Sequence, residues 1–238
     1  MKKIAIIQSN YIPWKGYFDF INMVDEFFIL DNVQYTKRDF RNRNKIKTAI
    51  GTKWITIPVR VKGRYLQKIN EVTIADENWM DSHWGSIKQS YSKAKYFKKY
   101  EKIFQNLYED INSNNLSEVN LMFIKTINKI LNINTKILQP ENTDNIFKNK
   151  TLRLLDICKN ASAKIYLSGK NAQEYLDIQT FKNNNVNIEW MSYEGYKPYK
   201  QLFPPFNHFV SILDLIFNKG PFSTKHMNSF KNNPTLNE

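Results

Sequence analysis

The sequence predicts an α/β fold: an N-terminal Rossmann-like sheet, a helical middle, and a C-terminal part that returns to the sheet. Three observations predict it. KIAIIQ at 3–8 and EFFILDNVQY at 26–35 are β-branched and aromatic runs, as strands buried on both faces require. Between them, KGYFDFINMV places Tyr17, Phe20, Ile21 and Val24 at helical spacing. Strand, loop, helix, strand is the order of a right-handed βαβ unit.

The remaining elements follow the same logic. SNYIPW, 9–14, reads as a loop because Pro13 disfavours helix at Ile12. TKWITIPVRV, 52–61, predicts a third strand closed by the turn KGR, and INEVTIA, 69–75, predicts a fourth. Residues 78–113 predict helix, broken near Lys95. LSEVNLMFIKTINKILNI, 116–133, predicts a helix opened by a capping box of Ser117 with Asn120. TKILQP is a short strand and KTLRLLDICKNAS a helix. AKIYLSGKNAQEYLDIQTFKNNNVNIEWM reads strand, Gly turn, helix, strand, and HFVSILDLIFNKG is a helix with a Gly C-cap. One domain over 1–230 is expected, with a helical insertion at about 78–133 and a flexible tail at 231–238.

The chain of 238 residues is long enough to bury a core without disulfides or metals. Its 42% hydrophobic and 14% aromatic content excludes a disordered chain. The apolar run Ile4–Ile7 is too short for a signal-peptide core, and no run approaches the ~18 residues of a membrane span. Cys158 stands alone and no Cys/His ligand set appears, so a cytoplasmic protein without a metal is expected, with Cys158 a buried structural thiol. The net charge of +13 favours anionic partners. The Lys, Asn and Ile richness also fits an AT-rich genome, which accounts for part of that charge.

QYTKRDFRNRNKIKT, 34–48, sets six cations against one acid, Asp39, directly after the second strand. Arg38, Arg41 and Arg43 suit a phosphate or carboxylate, and Asn44 beside them suits a sugar hydroxyl. The alternatives are a solvated surface and a nucleic-acid patch. No helix-turn-helix, zinc-finger or RNP signature appears, so specific DNA binding is not expected. Gln8, Asn10, Tyr11 and Trp14 form a polar and aromatic loop after strand one, where ligands of open α/β sheets bind. Asp31 either projects into that crevice or caps a turn. His83, in DSHWGS beside Asp81, is the best-placed of three histidines for proton transfer, or it packs on Trp79 and Trp84. His208 is read as structural and His226 as part of the tail. Ser168 and Gly169 could open a helix onto an anion, and Ser168 sits in no nucleophile elbow. Asp214 and Asn218, at i,i+4, either face a ligand or close a helix.

The block QSNYIPWKGYFDFINMVDEFFILDNVQYTKRDFRNRNKIKT resembles the opening block of the WbqC-like proteins of bacterial surface-polysaccharide clusters. WMDSHWGSIKQSYSKAKYF, IYLSGKNAQEYLD and HFVSILDLIFNKG resemble later blocks, so the likeness covers nearly the whole chain. Gln8, Asn10, Tyr11, Trp14, Asp31, Gln34, Tyr35, Arg43, Asn44, His83, Ser168 and Gly169 match that pattern. Ser9 departs from it, standing where the family has Pro.

The resemblance implies glycan biosynthesis for O-antigen, capsule or glycoprotein. Its leading form is transfer of an acyl or aminoacyl group onto the amine of a nucleotide-linked amino sugar. The donor is an acyl-CoA, a carrier protein or an aminoacyl-tRNA, and no tightly bound cofactor is implied. In that scheme the arginines neutralise phosphates, Asn10, Asp31 and Asn44 hold hydroxyls, and His83 is the base. A non-catalytic sugar-nucleotide-binding protein and an RNA-binding protein stay open. The first βαβ unit also resembles nucleotidyltransferase-like domains, although their two-histidine motif is absent and IPWKGY carries no His. Three expectations follow: the first loop and the basic stretch share one pocket, nucleotide-linked sugars bind better than duplex DNA, and activity follows a His83 ionisation between roughly pH 6 and 7.5.

Overall fold

A computed structural model describes residues 1–140 and 149–231. Its centre is a five-stranded, all-parallel sheet in the order β5-β2-β1-β6-β7. The strands are β1 (Lys3–Ile7), β2 (Glu26–Ile29), β5 (Lys136–Leu138), β6 (Ile165–Ser168) and β7 (Asn187–Trp190). Helix α1 (Lys15–Asn22) links β1 to β2, which pair in the register Ala5↔Phe27. Alternate residues feed two cores, as a strand's period of two dictates. Ala5, Phe27, Ile29 and Leu167 face one; Ile4, Ile6, Phe28 and Tyr166 face the other. This is an α/β, Rossmann-like architecture.

The first core lies under α1, α2 (Trp79–Tyr91), α3 (Phe97–Glu109), α4 (Leu116–Leu131) and α7 (Ile212–Lys219). The break between α2 and α3 falls at residues 92–96, close to the expected Lys95. The second core is closed by α5 (Lys150–Asn160) and α6 (Ile178–Asn183). Helix α7 ends where expected: Gly220 has φ +53, and its missing Cβ would meet the Tyr96 ring at 2.4 Å. Asn218 Nδ2 donates to the Asp214 carbonyl one turn back.

Several elements differ from expectation. The basic stretch is not all loop: residues 43–48 form β3 (Arg43–Thr48), which pairs antiparallel with β4 (Gly51–Thr56). Polar Asn44 sits inside beside Ile46, which hid the strand's alternation. The expected strand at 69–75 is a 3₁₀ turn, Ile69–Glu71, followed by isolated bridges. Its N–H groups are taken elsewhere: Ile69 donates to the Val33 carbonyl and Asn70 to the Asp31 carbonyl. The cap of α4 is Asn115, which accepts from the Ser117 and Glu118 amides. Ser117 and Asn120 point inward instead, 2% and 0% exposed. Gly169 opens only the 3₁₀ segment Lys170–Glu174, so no α-helix N-terminus forms at Ser168 and Gly169. His226 belongs to the body, closing the 3₁₀ segment Gly220–His226 against Tyr199 at 5.4 Å. The tail expected from 231 lies, from 232 on, outside the described residues. Among the described residues no helix is long and apolar enough to cross a membrane.

Cys158 is fully buried in the second core, and burial pushes its thiol up to about 12. The thiolate is the reactive form. An aromatic disulfide reagent at pH 8 should leave the native protein unlabelled and label one thiol per chain after denaturation; rapid native labelling would contradict this packing.

Candidate functional site

The strand order reverses at β1: β2 and β5 extend one side, β6 and β7 the other. The crevice at that switch point, at the carboxyl ends of the strands, is where open α/β sheets bind ligands. Residues 8–14 leave β1 there, and polar side chains from other elements hold them. Asp31 accepts from the Ser9 N–H at 2.8 Å and from the Ser117 hydroxyl. The Ser9 hydroxyl accepts from Asn120 Nδ2 at 3.0 Å. A proline at 9 would have no N–H to give, so this contact requires a residue other than proline there. Asn44 Nδ2 donates to the carbonyls of Tyr11, at 3.2 Å, and Ile12, at 2.8 Å. Ile12 has φ +38, a costly conformation for a β-branched residue, and these contacts over-determine it.

The loop and the basic stretch are therefore joined. Arg41 reaches the Asn10 side-chain oxygen and, at 3.3 Å, that of Gln8, with Asp39 at 3.4 Å. The Tyr11 N–H donates to the Phe40 carbonyl at 3.0 Å. Trp14, two residues past Ile12, is within two Cα steps, about 8 Å, of the carbonyl that Asn44 holds.

Other expected ligand groups are committed elsewhere. Asp31 and Asn44, 3% and 2% exposed, act as struts with their hydrogen-bonding atoms engaged. Tyr11 is wholly buried rather than open to stack on a sugar. Tyr35, 7% exposed, joins the core, and Gln34 donates to the Tyr65 carbonyl. Arg38 is exposed, and its carbonyl accepts from Arg43, whose guanidinium lies 4.3 Å from the Trp54 ring centre.

His83 is 5% exposed, in ring contact with Trp79 at 5.1 Å. Its Nδ1 is 2.9 Å from the Tyr11 hydroxyl, itself 2.5 Å from that of Tyr108. Burial lowers His83 to about 4, against a hydrogen bond to the Thr56 backbone that works upward. Asp81 does not orient it: residues two apart on a helix face different sides, and Asp81 is exposed. The ring is neutral at pH 7, so the titration expected between pH 6 and 7.5 is replaced by one far lower.

Sequence reading missed Lys15, the first residue of α1. Its Nζ is buried with no hydrogen-bond partner, 4.4 Å from the Tyr196 ring centre and 5.4 Å from that of Tyr199. Burial lowers it to about 8, against the pull of Asp19 and Asp214. Asp19 accepts from the Tyr196 hydroxyl at 2.5 Å, and Asp214 from the Tyr199 hydroxyl at 2.7 Å and from Gln201. The local signal was a cation at a helix N-terminus, where the dipole disfavours it. Residues 191–211 form no helix or strand and cover this end of the loop. Irregular segments of more than about 12–15 residues usually serve a site. This one lays Tyr193, Tyr196 and Phe209 against Trp14, at 5.1, 5.8 and 6.2 Å. Gly16 is required beneath: a Cβ there would sit 2.3 Å from the Trp14 ring. No group of three or more His, Cys, Asp or Glu among the described residues could hold a metal. Two described cavities, one of about 650 Å³ between Lys99 and Thr224 and one of about 1060 Å³ between Arg60 and Glu118, share no lining residue with the loop at 8–14.

A model of the WbqC-like protein family matches residues 8–226. The uncharacterized protein Rv1507c of Mycobacterium tuberculosis is 45% identical over 220 residues, covering 92% of this chain and 95% of that one. No solved structure matches.

The buried His83 sets a pH dependence. Folded, it stays neutral down to about pH 4; unfolded, it takes up a proton near 6.5. Between those values the unfolded chain binds more protons, so this contribution is complete above pH 6.5 and is lost as pH falls toward 4, by about 3 kcal/mol. Denaturant unfolding at pH 7 and 4.5 should show a smaller loss for His83→Gln than for the wild type. Equal losses would place the effect elsewhere.

Proposed function

The chain belongs to the WbqC-like protein family, and from that membership and the geometry above we propose an enzyme of bacterial glycan biosynthesis that transfers an acyl or aminoacyl group onto the amine of a nucleotide-linked amino sugar. One observation carries this reading. A single loop at the switch point joins a guanidinium, Arg41, at one end to an aromatic shelf and a buried amine, Trp14 and Lys15, at the other.

In this reading Arg41, with Arg38 and Arg43 outside it, neutralises the phosphates. Trp14, Tyr193 and Phe209 present ring faces to the sugar or base. The attacking amine arrives as an ammonium and must lose a proton. Both side chains are buried, but Lys15, brought down to about 8, lies closer to neutrality from the side of a proton acceptor than His83, lowered to about 4. The amine then forms a C–N bond to the acyl carbon, the bond to the donor's leaving atom breaks, and that atom takes up a proton. Segment 191–211 excludes water that would otherwise hydrolyse the donor.

Lys15→Met should lower turnover by about 10²–10⁴ while the affinity for a UDP- or dTDP-linked amino sugar, read by calorimetry, changes little. The wild-type rate should rise with pH and level off above about 8, as Lys15 loses its proton. Lys15→Arg, which stays charged, should not recover the rate. A Lys15→Met enzyme with the wild-type rate and pH profile would remove Lys15 from the reaction. Arg41→Ala should weaken sugar-nucleotide binding by about tenfold or more, the scale of a charge-assisted hydrogen bond; unchanged affinity would remove the phosphate role.

A further inference from the structure

The positive charge of this chain is not spread evenly. Residues 34–70 hold eleven lysines and arginines and one acid, Asp39, while the rest of the chain is close to neutral. Compositional drift would scatter such charge, so its confinement to one stretch calls for a local cause. The same stretch exposes three aromatic rings: Phe40 at 47%, Trp54 at 38% and Tyr65 at 72%.

The fold gathers these into two clusters joined by one short turn. Phe40 and Trp54 lie 5.8 Å apart, ring to ring. Arg43 and Lys45, on the strand opposite Trp54, stand 4.3 and 4.9 Å from its ring centre. Lys37 stands 5.1 Å from the Tyr65 ring, and Gln34 ties the backbone of Tyr65 to the same turn. Residues 36–40 link the two aromatic platforms, and Asp39 is spent inside that turn on Thr36, the Phe40 N–H and Arg41. Lys62 and Arg64 are exposed within three residues of Tyr65 in the chain, whereas Lys53 points to the other face of the hairpin, donating to the Ser86 hydroxyl at 3.0 Å.

We infer that the two clusters act as one face that binds a single strand of nucleic acid, its phosphates on the lysines and arginines and its bases stacked on Phe40, Trp54 and Tyr65. Alternation of cation and ring is the complement of alternating phosphate and base, and every base offers a π-face. A duplex keeps its bases stacked on one another and leaves these rings without partners. The inference goes beyond the transferase reading and does not depend on it. Only one further step rests on that reading: because the Phe40 carbonyl bonds the Tyr11 N–H, a strand lying on the face ends beside the loop at the switch point, where an acyl group carried on its terminus would be delivered.

The test is fluorescence anisotropy of the full chain with a labelled 12-mer of uridylate, the matching thymidylate, a 12-mer of abasic phosphodiester, and a 12-base-pair duplex. Both base-bearing single strands should bind, more tightly than the abasic strand and the duplex, and more weakly as salt rises. Preference between uridylate and thymidylate identifies RNA or DNA as the natural form. Trp54→Ala and Tyr65→Ala should each weaken binding about 5- to 100-fold, with unchanged circular dichroism, since both positions are exposed. Three results would overturn the inference. One is no binding at about 0.1 M salt. Another is an abasic strand bound as tightly as uridylate. The third is preferential binding to phosphatidylglycerol vesicles that is abolished by Ile50→Ser and Leu66→Ser, at the exposed aliphatic side chains of the same stretch, which would make the face a membrane contact. Because these readings need no turnover, failure of the transferase reading leaves them unaffected.

Discussion

Everything at the carboxyl ends of the strands depends on how residues 8–14 are held. The loop enters α1 through a backbone conformation that Ile12 adopts at a cost. It cannot satisfy its own buried N–H and C=O groups, so distant side chains do so. Asp31 holds Ser9 from the end of β2, Asn44 holds the Tyr11 and Ile12 carbonyls from β3, and Asn120 holds the Ser9 hydroxyl and the Arg41 carbonyl from α4. Buried polar groups left unpaired cost more than paired ones contribute, so this network constrains the loop from every side.

That constraint sorts the polar residues near the strand ends into two kinds. Those that hold the loop are buried and engaged. Those that the loop presents, Asn10, Trp14 and Lys15, inherit their positions from it. Arg41 belongs to both: its carbonyl accepts from Asn120 and its guanidinium lies against Asn10 and Gln8. The basic stretch is accordingly not one functional unit. Its carbonyls and amides bolt the loop in place, while most of its cations face outward with Phe40 and Trp54.

Lys15 shows the electrostatic counterpart. An amine placed among tyrosine rings loses hydration and recovers part of the cost from ring faces and from Asp19 and Asp214. The tyrosines that surround it donate their hydroxyls to those same aspartates, so each carboxylate is hydrogen-bonded without a direct ion pair to the lysine, with Asp214 Oδ2 left unpaired. An amine held this way, half-compensated and under an irregular segment, suits proton transfer better than structural pairing.

The sequence by itself determined the βαβ start, the two-faced sheet, the helical middle with its break near Lys95, and the loops that follow the strands. These rest on periodicity and on Gly and Pro, which act within a few residues along the chain. The duty of each polar residue was decided only by tertiary structure. Ser117 and Asn120 match a capping pattern locally, yet their side chains meet Asp31 and Ser9, more than eighty residues away in the chain. His83 has an acid two positions before it, yet its partner is Tyr11, 72 residues distant. Lys15 reads as an ordinary surface cation until residues 191–211 fold over it. Burial and hydrogen-bond partners are properties of contacts between distant segments, and no local pattern encodes them.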